Sequence, residues 1–238
     1  MPKIGIVAAL EREIKDLIKD WLKVEHTHDH HRFDFFEHGP AVAVCGGMGS
    51  GAARRAAEAL MAIYHPDTLI SAGFAGALQP SRSVGDVLWP QIIIDASDSS
   101  RTEIADGQGS LVSFSEVASP AQKAKLASAF QADAVDMEAA AVARVAAIHG
   151  ANFAAVKAIS DDATFEMPDL SRFITPDGHF RQAAFAAHAA LRPQLWPQLI
   201  RLARNSAKAS RALCTELARY PKENATAEPK RTSVATTN

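Results

Sequence analysis

Apolar residues fall in short blocks separated by longer amphipathic or polar stretches. Lys3–Ala9 (KIGIVAA) is a continuous apolar run, the pattern of a strand buried on both faces. A helix is predicted from about Glu11, where acidic residues in the first turn complement the helix dipole. His26–His31 (HTHDHH) is polar and reads as a loop. Arg32–Glu37 and Ala41–Cys45 read as strands divided by a turn at Gly39-Pro40. Gly46–Gly51 (GGMGSG) breaks the pattern, and the Ala-rich Ala52–Tyr64 is a helix. Thr68–Ala72 is the next apolar strand, ending in a turn at Gly73-Phe74-Ala75-Gly76. Asp86–Ile94 holds one or two strands, and Asp95–Gly109 is a polar loop. Pro120–Phe130 reads as helix, Ala134–Asp136 as a short strand and Glu138–His149 as helix. Phe153–Ile159 is again a buried strand, closed by Ser160-Asp161-Asp162. This alternation predicts an α/β fold with a mainly parallel sheet between helices. One domain is expected over residues 1–220. Pro221–Asn238 is polar, Thr-rich and without periodicity, and is expected to be a disordered tail.

Composition narrows the class without naming a function. The 238 residues are 47% hydrophobic and 22% charged, as in an ordinary globular protein. A formal net charge of -2 gives no general attraction to nucleic acid, and none is expected as partner. The two cysteines, Cys45 and Cys214, lie far apart and suggest no disulfide framework, so a reducing cytoplasm is the simpler location. No apolar run approaches the ~18 residues of a membrane span. The N-terminal apolar stretch runs straight into Glu11-Arg12-Glu13, unlike a signal peptide.

Candidate chemistry sits at strand ends. GMGSGA (Gly47–Ala52) matches the dinucleotide pattern G-x-G-x-x-G/A, which also suits any tight strand-to-helix turn. A dinucleotide site wants an acidic residue ending the next strand, whereas Asp67 precedes Thr68–Ala72. Backbone N–H groups at such a helix start can still hold an anion. The HTHDHH histidines lack a second cluster at ligand spacing, so no metal is expected. Asp136-Met137-Glu138 and Ser160-Asp161-Asp162 each end a strand in neighbouring β-α units. Each has a plain reading as a cap or Asx turn. Together with the acidic start of the first helix they place three carboxylates around one crevice, which suits a cationic transition state.

KIGIVAALEREI, GGMGSGAA, GFAGAL, VGDVL, VDMEAAAVA and VKAISDDA occur in this order over about Lys3–Ala163. Together they resemble the purine nucleoside phosphorylase superfamily, especially its methylthioadenosine/S-adenosylhomocysteine nucleosidase branch. The resemblance implies a three-layer α/β/α sandwich with a mainly parallel mixed sheet, and cleavage of a nucleoside N-glycosidic bond. It implies that Glu138 holds the ribose hydroxyls, Met137 packs on the sugar, and Asp161, beside Ser160, protonates the base at N7. It implies that Glu13 orients an attacking water. Gly73 and Phe74 fall at the substrate-binding turn, and Gly49 and Lys157 at positions that place an anion or water. The nucleosidases carry Ser at Phe74 and Arg at Lys157. No cofactor is implied, with phosphate an optional co-substrate; water and phosphate both stay open as nucleophile. The family usually forms dimers or larger assemblies, so a homodimer is expected.

SEVASPAQKAKLASAFQADAVDMEAAAVARVAA, the turn at Thr175–Gly178 and PQLIRLARNSAKASRAL resemble the hopanoid-associated phosphorylases. That branch implies a lipid-linked substrate, adenosylhopane. The small thioether nucleosides are the alternative, and a non-catalytic nucleotide-binding module is the alternative of another class. Pro193–Arg219 can form one helix, with Pro197 tolerated in its first turn. Arg201, Arg204, Lys208 and Arg211 share one face, with Leu195, Leu199, Leu202, Leu213 and Leu217 roughly opposite. Packing on the sheet is the plain reading of that Leu stripe. Peripheral contact with the inner membrane, aided by Trp196, is the sharper one.

Overall fold

A computed structural model describes residues 4–168, 171–173, 175, 178 and 180–224. The strands and helices run β1 (Ile4–Ala8), α1 (Glu11–Ile18), β2 (Leu22–His28), β3 (His31–His38), β4 (Ala41–Cys45), α2 (Ser50–Tyr64), β5 (Thr68–Ala77), β6 (Val87–Leu88) and β7 (Ile92–Asp95). They continue with β8 (Arg101–Glu103), β9 (Ser110–Ser113), α3 (Pro120–Phe130), β10 (Ala134–Asp136), α4 (Ala139–His149), β11 (Asn152–Asp161), α5 (Gln182–Ala190) and α6 (Trp196–Asn224).

The sheet is mixed. β1 lies between β4 and β5, parallel to both, and β11 runs parallel to β5 on its other side. The apolar runs in β1, β5 and β11 are buried because helices cover both faces. Leu69, Ala155 and Ile159 pack toward α2 and α4 with Ala56, Leu60 and Val142. Ile6, Ile70 and Val156 pack the other way, toward α1 and α6, with Ile14 and Leu213. The α/β sandwich expected from the alternation of elements is present.

Four local expectations are corrected. HTHDHH is no loop: it forms the ends of β2 and β3 and the turn between them, with His28 paired to His31. Asp29 and His30 take φ of 47° and 62°, the left-handed pair of a two-residue hairpin turn. The ring of His26 packs edge-on to Phe35 and Tyr64. Second, Gly73-Phe74-Ala75-Gly76 makes no turn but continues β5, where Lys157 to Asp161 pair with it. Third, the predicted loop Asp95–Gly109 contains β8, an edge strand on β7. Fourth, helix continues past residue 220 to Asn224, while 225–238 lie outside the described residues. β9 and α5 were not foreseen either. β9 spans only four residues and finds its place by pairing with β7 and β10.

The C-terminal helix begins at Trp196 after a 3-10 turn at Pro193–Leu195, which puts Pro197 in the first turn. Its second half follows the plain reading. Ala209, Leu213 and Leu217 are buried with Ile14 and Ile18 of α1. Its first half differs: Trp196 and Ile200 are exposed, as is Leu191 just before it.

Candidate active site

The C-terminal ends of β5, β10 and β11 meet the start of α1 around one cleft. Lining it are Glu13, Phe74, Met137, Glu138, Ser160 and Asp161, with Lys123 from α3 and Leu202 from α6. Parallel sheets place ligands at such strand ends. Gly49, Gly73 and Lys157 lie behind this lining and touch the carboxylates instead.

At one end, β10 delivers Asp136 and then Glu138. Asp136 is buried; its Oδ1 accepts from Ser113 Oγ at 2.6 Å, and its Oδ2 accepts from the Ala139 N–H at 2.8 Å. It therefore caps α4. Glu138, at the N-cap position itself, is left free to turn away. Its Oε1 accepts from the Gly49 N–H at 2.8 Å and its Oε2 from the Met137 N–H at 3.2 Å. The donor at the start of α2 is thus taken by the protein's own carboxylate. Lys157, fully buried in the middle of β11, sits 2.9 Å from Asp136 Oδ2. Glu13 closes this group from α1. A side chain at Gly73 would start 3.1 Å from Glu13 Oε2 and 3.6 Å from Lys157 Nζ, so only glycine leaves room for them.

Burial pushes the Glu13 carboxyl above its ordinary value, against the pull of Lys157. Burial and the neighbouring Asp136 push Glu138 up to about 7, again opposed by Lys157. Burial alone would depress the Lys157 ammonium, but Asp136, Glu138 and Glu13 together hold it above its ordinary range.

At the other end stands Asp161. β11 carries one extra residue here: Ile159 pairs with Ala75 and Asp161 with Gly76, leaving Ser160 without a partner. The bulge moves Asp161 off the face that carries Lys157 and Ile159. Ser160 Oγ donates to Asp161 Oδ1 at 2.6 Å. Lys123 Nζ donates to Asp161 Oδ2 and, at 2.8 Å, to the Asp162 carbonyl. Asp161 and Lys123 are 4% and 3% exposed, so this is a buried ion pair. A Cβ at Gly76 would lie 2.9 Å from Asp161 Oδ2 and 3.0 Å from Lys123 Cε, which explains glycine there.

Sequence reasoning missed Lys123. A signal was present: Ser119 and Gln122 form a capping box, with each side chain bonded to the other's backbone N–H. Lys123 thus falls in the first turn of α3, where the helix dipole disfavours a cation.

The family model for the phosphorylase superfamily matches residues 3–118 and 107–194. The chain belongs to this superfamily. Relatives within it include an aminodeoxyfutalosine nucleosidase from Campylobacter jejuni, 28% identical over 92 residues, which are 37% of this chain and 40% of that one. A 5'-methylthioadenosine/S-adenosylhomocysteine nucleosidase from Staphylococcus carnosus is 32% identical over 88 residues, 36% of this chain and 39% of the relative. The chain thus spans about two fifths of the length of these curated relatives. The same nucleosidase from Neisseria meningitidis, solved with methylthio-immucillin-A, superposes with a TM-score of 0.68 at 18% identity. The match covers 94% of this chain and all of that one. The superfamily's fold extends over nearly the whole described chain.

Proposed function

We propose that this protein hydrolyses the N-glycosidic bond of a 5'-substituted adenine nucleoside and releases adenine. The convergence of Glu13, Glu138 and Asp161 on one cleft carries this reading. Glu138 stabilises positive charge growing on the sugar, through hydrogen bonds from the ribose hydroxyls. Met137 covers the sugar. Asp161 serves the departing purine, whose edge offers an acceptor at N7 beside a donor at N6. Glu13 takes the proton of the attacking water. The non-catalytic alternative would have to treat these three carboxylates as unrelated caps. Asp136 does cap α4, but Glu138, the residue at the head of α4, makes no cap bond to it and reaches across to Gly49 instead, and Asp161 ends a strand with its carboxyl turned to Ser160 and Lys123.

Water is favoured over phosphate by the electrostatics at the Glu13 end. There Glu13, Asp136 and Glu138 surround one ammonium, Lys157, already paired with Asp136. The Gly49 N–H is likewise engaged by Glu138. A phosphate dianion entering there meets carboxylates and donors already in use, whereas water meets an acceptor in Glu13.

For the 5'-substituent we propose a lipid, as in adenosylhopane. Among the described residues no helix is long and apolar enough to cross a membrane, so contact would be peripheral. Leu202 lines the cleft, two residues after exposed Ile200 and six after exposed Trp196, on a helix that also carries Arg201 and Arg204. The named relatives favour methylthioadenosine or S-adenosylhomocysteine as the second reading. A base-release assay on adenosylhopane, methylthioadenosine and S-adenosylhomocysteine, with and without phosphate, tests all of this. Adenine release from adenosylhopane without phosphate is the expected result. Release that requires phosphate overturns hydrolysis, and preference for a thioether overturns the lipid.

A further inference from the structure

The pairing of Lys123 with Asp161 raises a question of proton supply. A carboxylate that accepts from Ser160 and from an ammonium has no proton of its own to give. Yet a purine leaving as an anion needs one. Of the two side chains that donate to Asp161, Ser160 is a hydroxyl and Lys123 an ammonium, so the more acidic proton is on Lys123 Nζ. Two of its three N–H bonds are directed at Asp161 Oδ2 and the Asp162 carbonyl, and its side chain lines the cleft. Burying an ammonium is costly, and placing it in the first turn of a helix adds to the cost. Capping needs no lysine here, since Ser119 and Gln122 already cap α3.

Resting on the N-glycosidase reading above, we propose that Lys123 is the proton source for the departing purine, acting through Asp161. As the C1'–N9 bond breaks, its electron pair passes into the purine. Lys123 Nζ passes a proton to the Asp161 carboxylate, which hands it on to N7 and ends as the carboxylate it began as. Lys123 becomes a neutral amine. The water that attacks C1' gives its proton to Glu13. Exchange with solvent then returns one proton to Lys123 and removes one from Glu13, so the cycle closes on nucleoside plus water giving ribose product plus adenine. Lys123 is thus a positioning residue for Asp161 as well as its source of protons.

The test compares wild type, Lys123→Arg and Lys123→Ala on a 5'-substituted adenine nucleoside that the wild type cleaves. Arginine keeps the positive charge and the hydrogen bond but does not release a proton at working pH. Both variants are expected to lose ~10²-fold or more in kcat, with KM changed little. Ethylammonium should restore Lys123→Ala in proportion to its concentration, while tetramethylammonium, with the same charge and no proton, should not. A Lys123→Arg enzyme within threefold of wild type, or a Lys123→Ala enzyme of undiminished kcat, overturns the proposal and leaves Lys123 as a structural partner. If circular dichroism shows Lys123→Ala to be unfolded, Lys123→Arg decides alone. A wild type that releases no adenine from any 5'-substituted nucleoside sinks the enzyme reading itself, and this proposal with it.

Discussion

Lys157 and Lys123 are both buried ammonium groups beside an aspartate, yet their surroundings differ. Lys157 sits among Asp136, Glu138 and Glu13, and their combined field holds its proton firmly. Lys123 hydrogen-bonds one carboxylate, Asp161, and one backbone carbonyl, and its charge also reaches the Asp162 carboxylate. The first arrangement neutralises a cluster of like charges that would otherwise repel one another. The second holds a hydrogen-bonded ion pair at the wall of the cleft. In the proposed chemistry the same residue type thus keeps its charge at the sugar end and passes a proton on at the base end.

The sharpest way to break this contrast is at the base end. Asp161→Asn should lower kcat for adenine release by ~10²–10⁴, since an amide cannot deliver a proton. Thermal unfolding should stay cooperative. Near-normal turnover in the folded variant would remove Asp161 from the chemistry.

At the sugar end the expected loss is in stability. Lys157→Met leaves Asp136 buried without its cation, and breaking such a pair costs ~3–5 kcal/mol. Urea unfolding measures it. A loss under ~1 kcal/mol would mean that water or protonation compensates, and the proposed division between the two lysines would fall.

Glu138 sharpens the same comparison through pH. Burial holds its folded carboxyl at about 7, against 4.5 for a free one. The folded state therefore binds the extra proton in between. Its contribution to stability is complete below pH 4.5 and is lost as pH rises through about 7. The stability difference between wild type and Glu138→Gln should shrink over that window. Activity should run the opposite way, rising toward neutral pH as the carboxylate forms. Glu138→Gln should lower kcat more than it raises KM, because the sugar contact strengthens in the transition state.

The smallest effect concerns α6. Sedimentation with anionic vesicles should carry down wild type at low salt and less at high salt, at ~1 kcal/mol per cation near the surface. Replacing exposed Trp196 and Ile200 by Ser should weaken it without touching the Leu213 side of the helix. Wild type remaining in the supernatant at low salt would refute the membrane contact.

The long periodic elements were legible in the sequence because local pattern and tertiary burial agree there. β1, α2, α3 and α4 need nothing beyond their own residues to be recognised. The misreadings have two causes. Gly73–Gly76 looks like a turn because glycine breaks local pattern, but the glycines answer to Glu13, Asp161 and Lys123, which come from far along the chain. HTHDHH looks like a loop because β2 is an exposed edge strand with no buried face to mark it. In the site, acidic strand ends announced Glu138 and Asp161. Lys123 was hidden because it reaches the cleft from a helix whose sequence shows only an ordinary cap.

The unpaired Ser160 also changes how this strand could be moved elsewhere. Along a regular strand, alternate residues face the same side, so Lys157 and Asp161 would be expected to look the same way. They do not, because the ladder skips one residue between them. A designer who grafts Ala158–Asp162 onto another parallel sheet, copying the residues but pairing every one, would aim the carboxylate into the opposite layer. The portable unit is therefore the strand with its missed rung, together with the glycine that stands across from the aspartate.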